Sequence, residues 1–281
     1  MTDMTVTKTV TLSGVPIDYR DVGEGRPVVF LHGVYVTGAV WDAVVQRLAA
    51  THRCIVPTWP LGGHAYEVPT GADLSVAATA RRLPELLEAL DLRDAVVVAN
   101  DSGGGITLTA LGTGHAGLAR IGALVLTNCD SFDHFPPPSF KPVVTMARRS
   151  AAIGVVLMRF FASGPGKALF FKQVCSTRPS GERIDAIMGA FRTSARSRRD
   201  AVTVTASMRP QLTLDAVPSL EALDVPVHVV WGADDKVFPK GDGERIAKAA
   251  PKGHYDPVPG SGTYVMVDAP EQLAAAITAV S

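Results

Sequence analysis

The chain has 281 residues, 47% apolar and 19% charged, which is enough for a sizeable buried core and too apolar for a disordered chain. Its 27 basic and 27 acidic residues cancel, so no bulk field draws it to nucleic acid or to an anionic membrane. Nowhere do eighteen apolar residues run together, and the start, "MTDMTVTKTVTLSG", lacks the apolar core of a signal peptide, so neither a membrane span nor a leader is expected. Cys54, Cys129 and Cys175 are odd in number, far apart and without metal-ligand spacing. They predict reduced, packed thiols in a cytoplasmic protein.

In chain order, residues 6–12 and 15–19 alternate polar and apolar around Gly14, as two strands joined by a turn would. "PVVFLHG" is a short continuous apolar run, the pattern of a strand buried on both faces. Residues 38–50 have helical spacing, "CIVPTWP" is a strand with a proline-broken exit, and 73–92 is a helix with Asp73 as its cap. Then come a strand, "DAVVVAN", a helix over 103–115, and a strand, "IGALVLTN". The pattern returns late with "VPVHVVWG", a helix over 244–250, "YDPVPG" and a last helix from Pro270. Alternating strands and helices predict an α/β chain with a mostly parallel sheet covered on both faces.

Residues 130–218 interrupt that alternation. They contain "FPPPSF", helical stretches rich in Phe, Met and Ala, and no buried strand pattern. Residues 131–215 carry thirteen Lys and Arg against five Asp and Glu, a bias that ordinary solvated helix faces explain better than a basic cover for an anionic ligand. The expected layout is a core over 1–129 and 219–281 with a helical cap, 130–218, inserted in it.

"VVVANDSGGG" carries the chemistry. An apolar strand ends in Asp101 and Ser102, and a glycine-lined turn leads at once into a helix. A residue on such a turn is pushed out at the helix N-terminus, where negative charge is stabilised. The pattern small-x-nucleophile-x-small-small fits Ala99 to Gly104 with Asp101 on the turn; shifting it to Ser102 puts Asn100 in a small-residue position.

These residues resemble the α/β-hydrolase family and, with Asp on the elbow, its epoxide hydrolase and haloalkane dehalogenase branch. "VVFLHG" resembles the family's oxyanion-loop motif, which implies that the N–H groups of Val34 and Ser102 form the oxyanion hole. "VVWGADDKVFP" resembles the segment that delivers the triad acid, and the W-G-x-x-D spacing puts that acid at Asp235. Asn128, at the end of the strand after the elbow helix, matches a site where some relatives carry an alternative acid.

The family's histidine should follow the last strand in a G-x-G-H turn. Here "GSGTY" places Thr263 there, and none of the seven histidines lies in that turn. An Asp nucleophile opens an epoxide or displaces a halide to give an ester, which the histidine then hydrolyses by activating water. With Thr263, the first half stands and the second is in doubt.

The resemblance also implies limits on the substrate. Relatives that dehalogenate carry Trp after the nucleophile and often Asn after His-Gly; Ser102 and Val34 stand there, which disfavours dehalogenation. Epoxide hydrolases protonate the opening oxygen with cap tyrosines, but all five tyrosines lie outside 130–218, leaving Tyr35 and Tyr66 as substitutes. Seven phenylalanines, at 132, 135, 160, 161, 170, 171 and 191, predict an apolar roof.

Three functions follow: epoxide opening and hydrolysis of a hydrophobic small molecule through Asp101; a non-hydrolytic isomerase, lyase or cyclase with Asp101 as general base; or a silent ligand-binding protein. No cofactor or metal, no nucleic acid or membrane, and a monomer or homodimer complete the expectation.

Overall fold

A computed structural model describes residues 6–281; residues 1–5, the start of the stretch read as lacking a leader, lie outside them. The strands are β1 (Thr7–Leu12), β2 (Val15–Val22), β3 (Arg26–Leu31), β4 (His52–Pro57), β5 (Ala95–Asp101), β6 (Ile121–Cys129), β7 (Val227–Gly232) and β8 (Gly253–Val258). They form one sheet in the order β1-β2-β4-β3-β5-β6-β7-β8. Only the β1–β2 and β2–β4 pairings are antiparallel. β5 runs through the middle and is buried from Ala95 to Asn100, as its unbroken apolar sequence requires.

Helices Asp42–Leu48 and Pro270–Ala279 pack on each other, and Val76–Ala89 packs on Ser102–Leu111. These pairs cover the sheet as the alternating pattern predicts. Two helix ends differ from it. Ser75, not Asp73, caps the helix Val76–Ala89, its Oγ accepting from Ala78 N at 3.2 Å. The helix after β5 stops at Leu111, well before His115, because Gly112 and Gly114 follow and Gly114 takes a φ of +65°.

Between β6 and β7 the chain is helical throughout, from Pro138 to Glu221, with no strand. Helices Lys141–Arg149, Ala151–Ala162 and Ala195–Ser207 pack on one another. The short helices Pro210–Leu214 and Val217–Glu221 pack on the elbow helix instead, so the return to the core begins before the predicted boundary at 218. No single helix among the described residues is long and apolar enough to cross a membrane; one bent pair, Ala151–Ala162 with Gly164–Val174, passes that test together but turns by 79°. All three cysteines are buried and free.

The turn from β5 into its helix depends on close approach. A β-carbon on Gly103 would lie 2.4 Å from Leu31 O, and one on Gly104 would lie 2.3 Å from Cys129 Cβ. Gly104→Ala is therefore expected to cost about 1–3 kcal/mol by overpacking, read as a lower thermal midpoint. Adding Cys129→Gly should recover part of that loss, because it removes the atoms in the way.

Candidate active site

Asp101 is the residue on the elbow. It takes φ +54° and ψ −133°, a sparsely populated conformation for a non-glycine residue, and the helix begins at Ser102. Such geometry costs about 1–3 kcal/mol and persists only where the surroundings hold it. Asn100 supplies part of that hold, its Nδ2 donating to Thr127 Oγ1 at 2.7 Å, Thr263 O at 2.8 Å and Asn128 O at 3.1 Å. One buried amide thus ties the elbow to both neighbouring loops.

The Asp101 carboxyl is fixed on two sides. Oδ1 accepts from Ser102 N at 2.8 Å and from Ser102 Oγ at 3.3 Å. Oδ2 presses on the loop after β3, where a β-carbon at Gly33 would lie 2.2 Å away. Burial is the largest effect on this group, the Ser102 bonds oppose it, and the charge of Asp235 adds to it; together they raise the pKa to about 7. His32, just before that glycine, is structural. Its Nε2 accepts from Trp59 N at 2.9 Å, so the ring is neutral and its Nδ1–H donates to Gly33 O at 2.8 Å. Burial pushes its pKa down to about 4.

Asp235 and Thr263 meet, the pairing that the family resemblance implies for these two positions. Thr263 Oγ1 donates to Asp235 Oδ1 at 2.6 Å, Val237 N donates to the same oxygen at 2.7 Å, and Asn128 Nδ2 donates to Oδ2 at 2.6 Å. Burial raises the Asp235 pKa, and these donors, Thr263 foremost, hold it back. Asn128 also bridges Gly232 through both its side-chain atoms. Asn128 is not among the residues that line the cavity; its side chain is used on Asp235 and Gly232.

A cavity of about 460 Å³ opens between the strand ends and the helical insertion. Val34, Asp101, Ser102 and Thr263 form its floor; Phe140, Val143, Phe161, Leu169, Phe170 and Met208 supply most of its apolar wall. Of the seven phenylalanines predicted as a roof, Phe161 and Phe170 reach it, and Phe140, which that set left out, joins them. Phe132 lies under the Arg245 guanidinium at 3.8 Å, Phe160 is exposed, and Phe135, Phe171 and Phe191 are packed inside. No Lys or Arg of 131–215 lines the cavity; its cation is the exposed Lys236 of the core. The basic bias belongs to solvated helix faces.

The tyrosines proposed as proton donors are occupied. Tyr35 lines the cavity, but its hydroxyl lies 2.7 Å from Thr205 Oγ1. That hydroxyl in turn donates to Ala201 O, so the Tyr35 proton points at Thr205. Tyr66 donates to Thr58 O and lies outside the cavity. No histidine reaches the cavity either. His64 pairs with Asp200 at 3.2 Å, and His228 and His254 share the carboxylate of Asp256 near the start of β7 and β8. The donor atoms of those last three lie within 4.8 Å of one another, the one such metal-capable cluster found among the described residues, and it is remote from Asp101.

One site residue escaped the sequence analysis. Asp130, directly after β6, lines the cavity fully buried, and neither carboxyl oxygen has a hydrogen-bond partner. Its backbone N–H donates to Asp101 O at 3.3 Å. Burial first, then the charge of Asp101, pushes its pKa well above the usual carboxylate range. The signal was present in "TNCDSF": an acid just past the carboxyl end of the strand beside the elbow strand, where sites of parallel sheets gather.

The sheet order, the elbow and the intervening helices define an α/β-hydrolase architecture, and the chain belongs to the alpha/beta hydrolase family, whose model matches residues 28–276. Among its relatives, a cis-3-alkyl-4-alkyloxetan-2-one decarboxylase of Shewanella oneidensis is 26% identical, covering 93% of this chain and 83% of its own. A non-heme chloroperoxidase of Kitasatospora aureofaciens is 29% identical over 89% and 90%. An alpha/beta hydrolase fold protein from Burkholderia ambifaria superposes with a TM-score of 0.82 at 24% identity, covering 98% and 97% of the two chains.

Two stability measurements follow. Thr263→Val deprives buried Asp235 of its strongest donor and should cost about 1–3 kcal/mol in chemical denaturation at pH 7. Asp101→Asn should do the opposite, with a pH signature. A carboxyl whose pKa is raised from 3.8 to about 7 stabilises the fold while protonated and loses that contribution as pH rises through about 7. The thermal midpoint of the variant, relative to the parent, should therefore climb from pH 4 to pH 7 and then level off; a flat difference would mean Asp101 ionises normally.

Proposed function

We propose that this chain is an enzyme in which Asp101 acts on a small apolar molecule, and that it works as a general base in an isomerisation, elimination or ring opening. The observation that carries this reading is the Thr263–Asp235 hydrogen bond. Where two-step hydrolysis needs an imidazole to activate water, the chain offers a hydroxyl whose proton is already committed to a carboxylate. An ester formed on Asp101 would have no base to release it.

The other site properties agree. A base works best with a pKa near the working pH, and Asp101, raised to about 7, is poised there. The cavity is lined mainly by apolar side chains, which suits a hydrophobic substrate. No tryptophan lines it, so the indole donor implied for halide binding is missing. The name of the Shewanella relative describes a decarboxylase acting on a strained cyclic ester with alkyl substituents. That supports a strained oxygen ring, with an epoxide the leading case, and supports chemistry that does not end in hydrolysis.

Asp101 as a nucleophile remains the second reading, because the Ser102 N–H holds Oδ1 and leaves the other oxygen to attack. Incubation with a panel of alkyl epoxides in 18O-labelled water separates the two. General-base action predicts products isomeric with the substrate, no covalent adduct by intact-mass spectrometry, and no 18O in the product. A lasting adduct on Asp101, or a labelled diol, would reverse the assignment.

Asp101→Asn should lower kcat/KM by about 10²–10⁴-fold, and kcat/KM of the parent enzyme should rise with pH up to about 7 as Asp101 ionises. Thr263→His should bring no gain on this reading. If it creates diol-forming turnover, nucleophilic hydrolysis was the underlying chemistry.

A further inference from the structure

We propose that Asp130 is the proton donor of this site, a neutral carboxylic acid that hydrogen-bonds the substrate oxygen and protonates it as Asp101 removes a proton from carbon. This rests on the reading of Asp101 as a general base and extends it to a substrate class: an apolar epoxide, or a similar strained cyclic ether, with a C–H bond next to the ring.

Geometry is the first support. A buried polar group nearly always has a partner, yet both Asp130 oxygens lack one while the residue lies on the cavity wall. The fold makes room for it: a β-carbon on Gly105 would come within 2.8 Å of Asp130 Cβ and 3.0 Å of the Phe135 ring. Two other hydroxyls on the cavity are spent, Tyr35 on Thr205 and Thr263 on Asp235; its remaining side-chain nitrogens are those of Gln173 and the exposed Lys236.

The charged and titratable groups that act on Asp130 are Asp101, Asp242 and the neighbouring thiol of Cys129. Asp242 is paired with His134 at 2.7 Å. Like charges and burial both favour the protonated acid. The Ser102 hydroxyl opposes them, favouring the ionised form by more than the Asp242 charge disfavours it, but its hydrogen bond goes to Asp101 Oδ1.

The step balances without a cofactor. Asp101 takes the proton from the carbon beside the ring, and the C–H electron pair becomes the C=C bond. The ring C–O bond breaks, its electron pair goes to oxygen, and that oxygen takes the Asp130 proton. The product is an allylic alcohol isomeric with the substrate. Asp101 then holds a proton and Asp130 is ionised. Ser102 Oγ, bonded to one and beside the other, is placed to return the proton.

The test does not depend on finding the natural substrate. In the full chain labelled with 13C at aspartate carboxyls, one resonance should keep its protonated shift at pH 8, above the Asp101 transition. It should vanish in Asp130→Asn and persist in Asp101→Asn. Binding of 2-heptanone, measured by calorimetry against heptane as the matched hydrocarbon, should show a preference of about fivefold or more, the worth of one hydrogen bond. Asp130→Leu should abolish that preference, and Asp130→Asn, which keeps a donor of the same size, should retain part of it.

An ionised Asp130 at pH 8, or an unchanged ketone preference in Asp130→Leu, overturns the proposal. Failure of the general-base reading would look different: epoxide turnover surviving in Asp101→Asn, with the Asp130 resonance still protonated.

Discussion

The positive φ at Asp101 is the constraint around which the site is built. It turns the chain from the central strand into a helix within one residue, and so lifts a carboxyl onto the cavity floor at a helix N-terminus. The neighbours must give way in consequence. Gly33 has no side chain because Asp101 Oδ2 occupies that space, Gly103 lies against the Leu31 carbonyl, and Gly104 lies against Cys129. These glycines serve close approach, not flexibility. Asn100, itself buried, then fixes the elbow to the loops that carry Asn128 and Thr263.

A second consequence is electrostatic. Asp101 and Asp130 line the cavity with Asp235 bonded behind Thr263, and the cavity has no histidine or arginine, its cation being the exposed Lys236. Taking a carboxylate from water into such a place is costly unless hydrogen bonds or opposite charges offset it. Asp235 has the offset, with donors on both oxygens. Asp101 has part of it through Ser102, and the Asp130 carboxyl has no hydrogen-bond partner. The three therefore differ in what holds them: Asp235 is anchored by donors, the Asp101 pKa is raised to about 7, and that of Asp130 is pushed well above the usual carboxylate range. Carboxyls driven apart in this way are how one site supplies both acid and base.

The helical insertion makes the site apolar and enclosed. Its Phe140, Phe161 and Phe170 face the cavity, and the backbone N–H of Tyr264, next to Thr263, donates to Val174 O of the insertion at 2.8 Å. The turn that carries Thr263 is thus held from both sides.

The architecture and the position of Asp101 were legible in the sequence, because both follow from local pattern. Continuous apolar runs specify strands buried on both faces, and only small residues can flank a turn this tight. Asp235 and Thr263 could be placed together only through the resemblance of their segments to the family's motifs. What the tertiary structure alone decided concerns residues far apart in the chain. Tyr35 finds Thr205 of the insertion, which takes up its hydroxyl; Asn128 faces Asp235 and not the ligand space. Phe140 reaches the cavity while Phe160 points outward. Asp130 stands unpaired beside Asp101. Sequence spacing sets which residues share an element. Whether a polar atom finds a partner depends on which side chains from other elements arrive beside it, and that is settled only when sheet and insertion pack together.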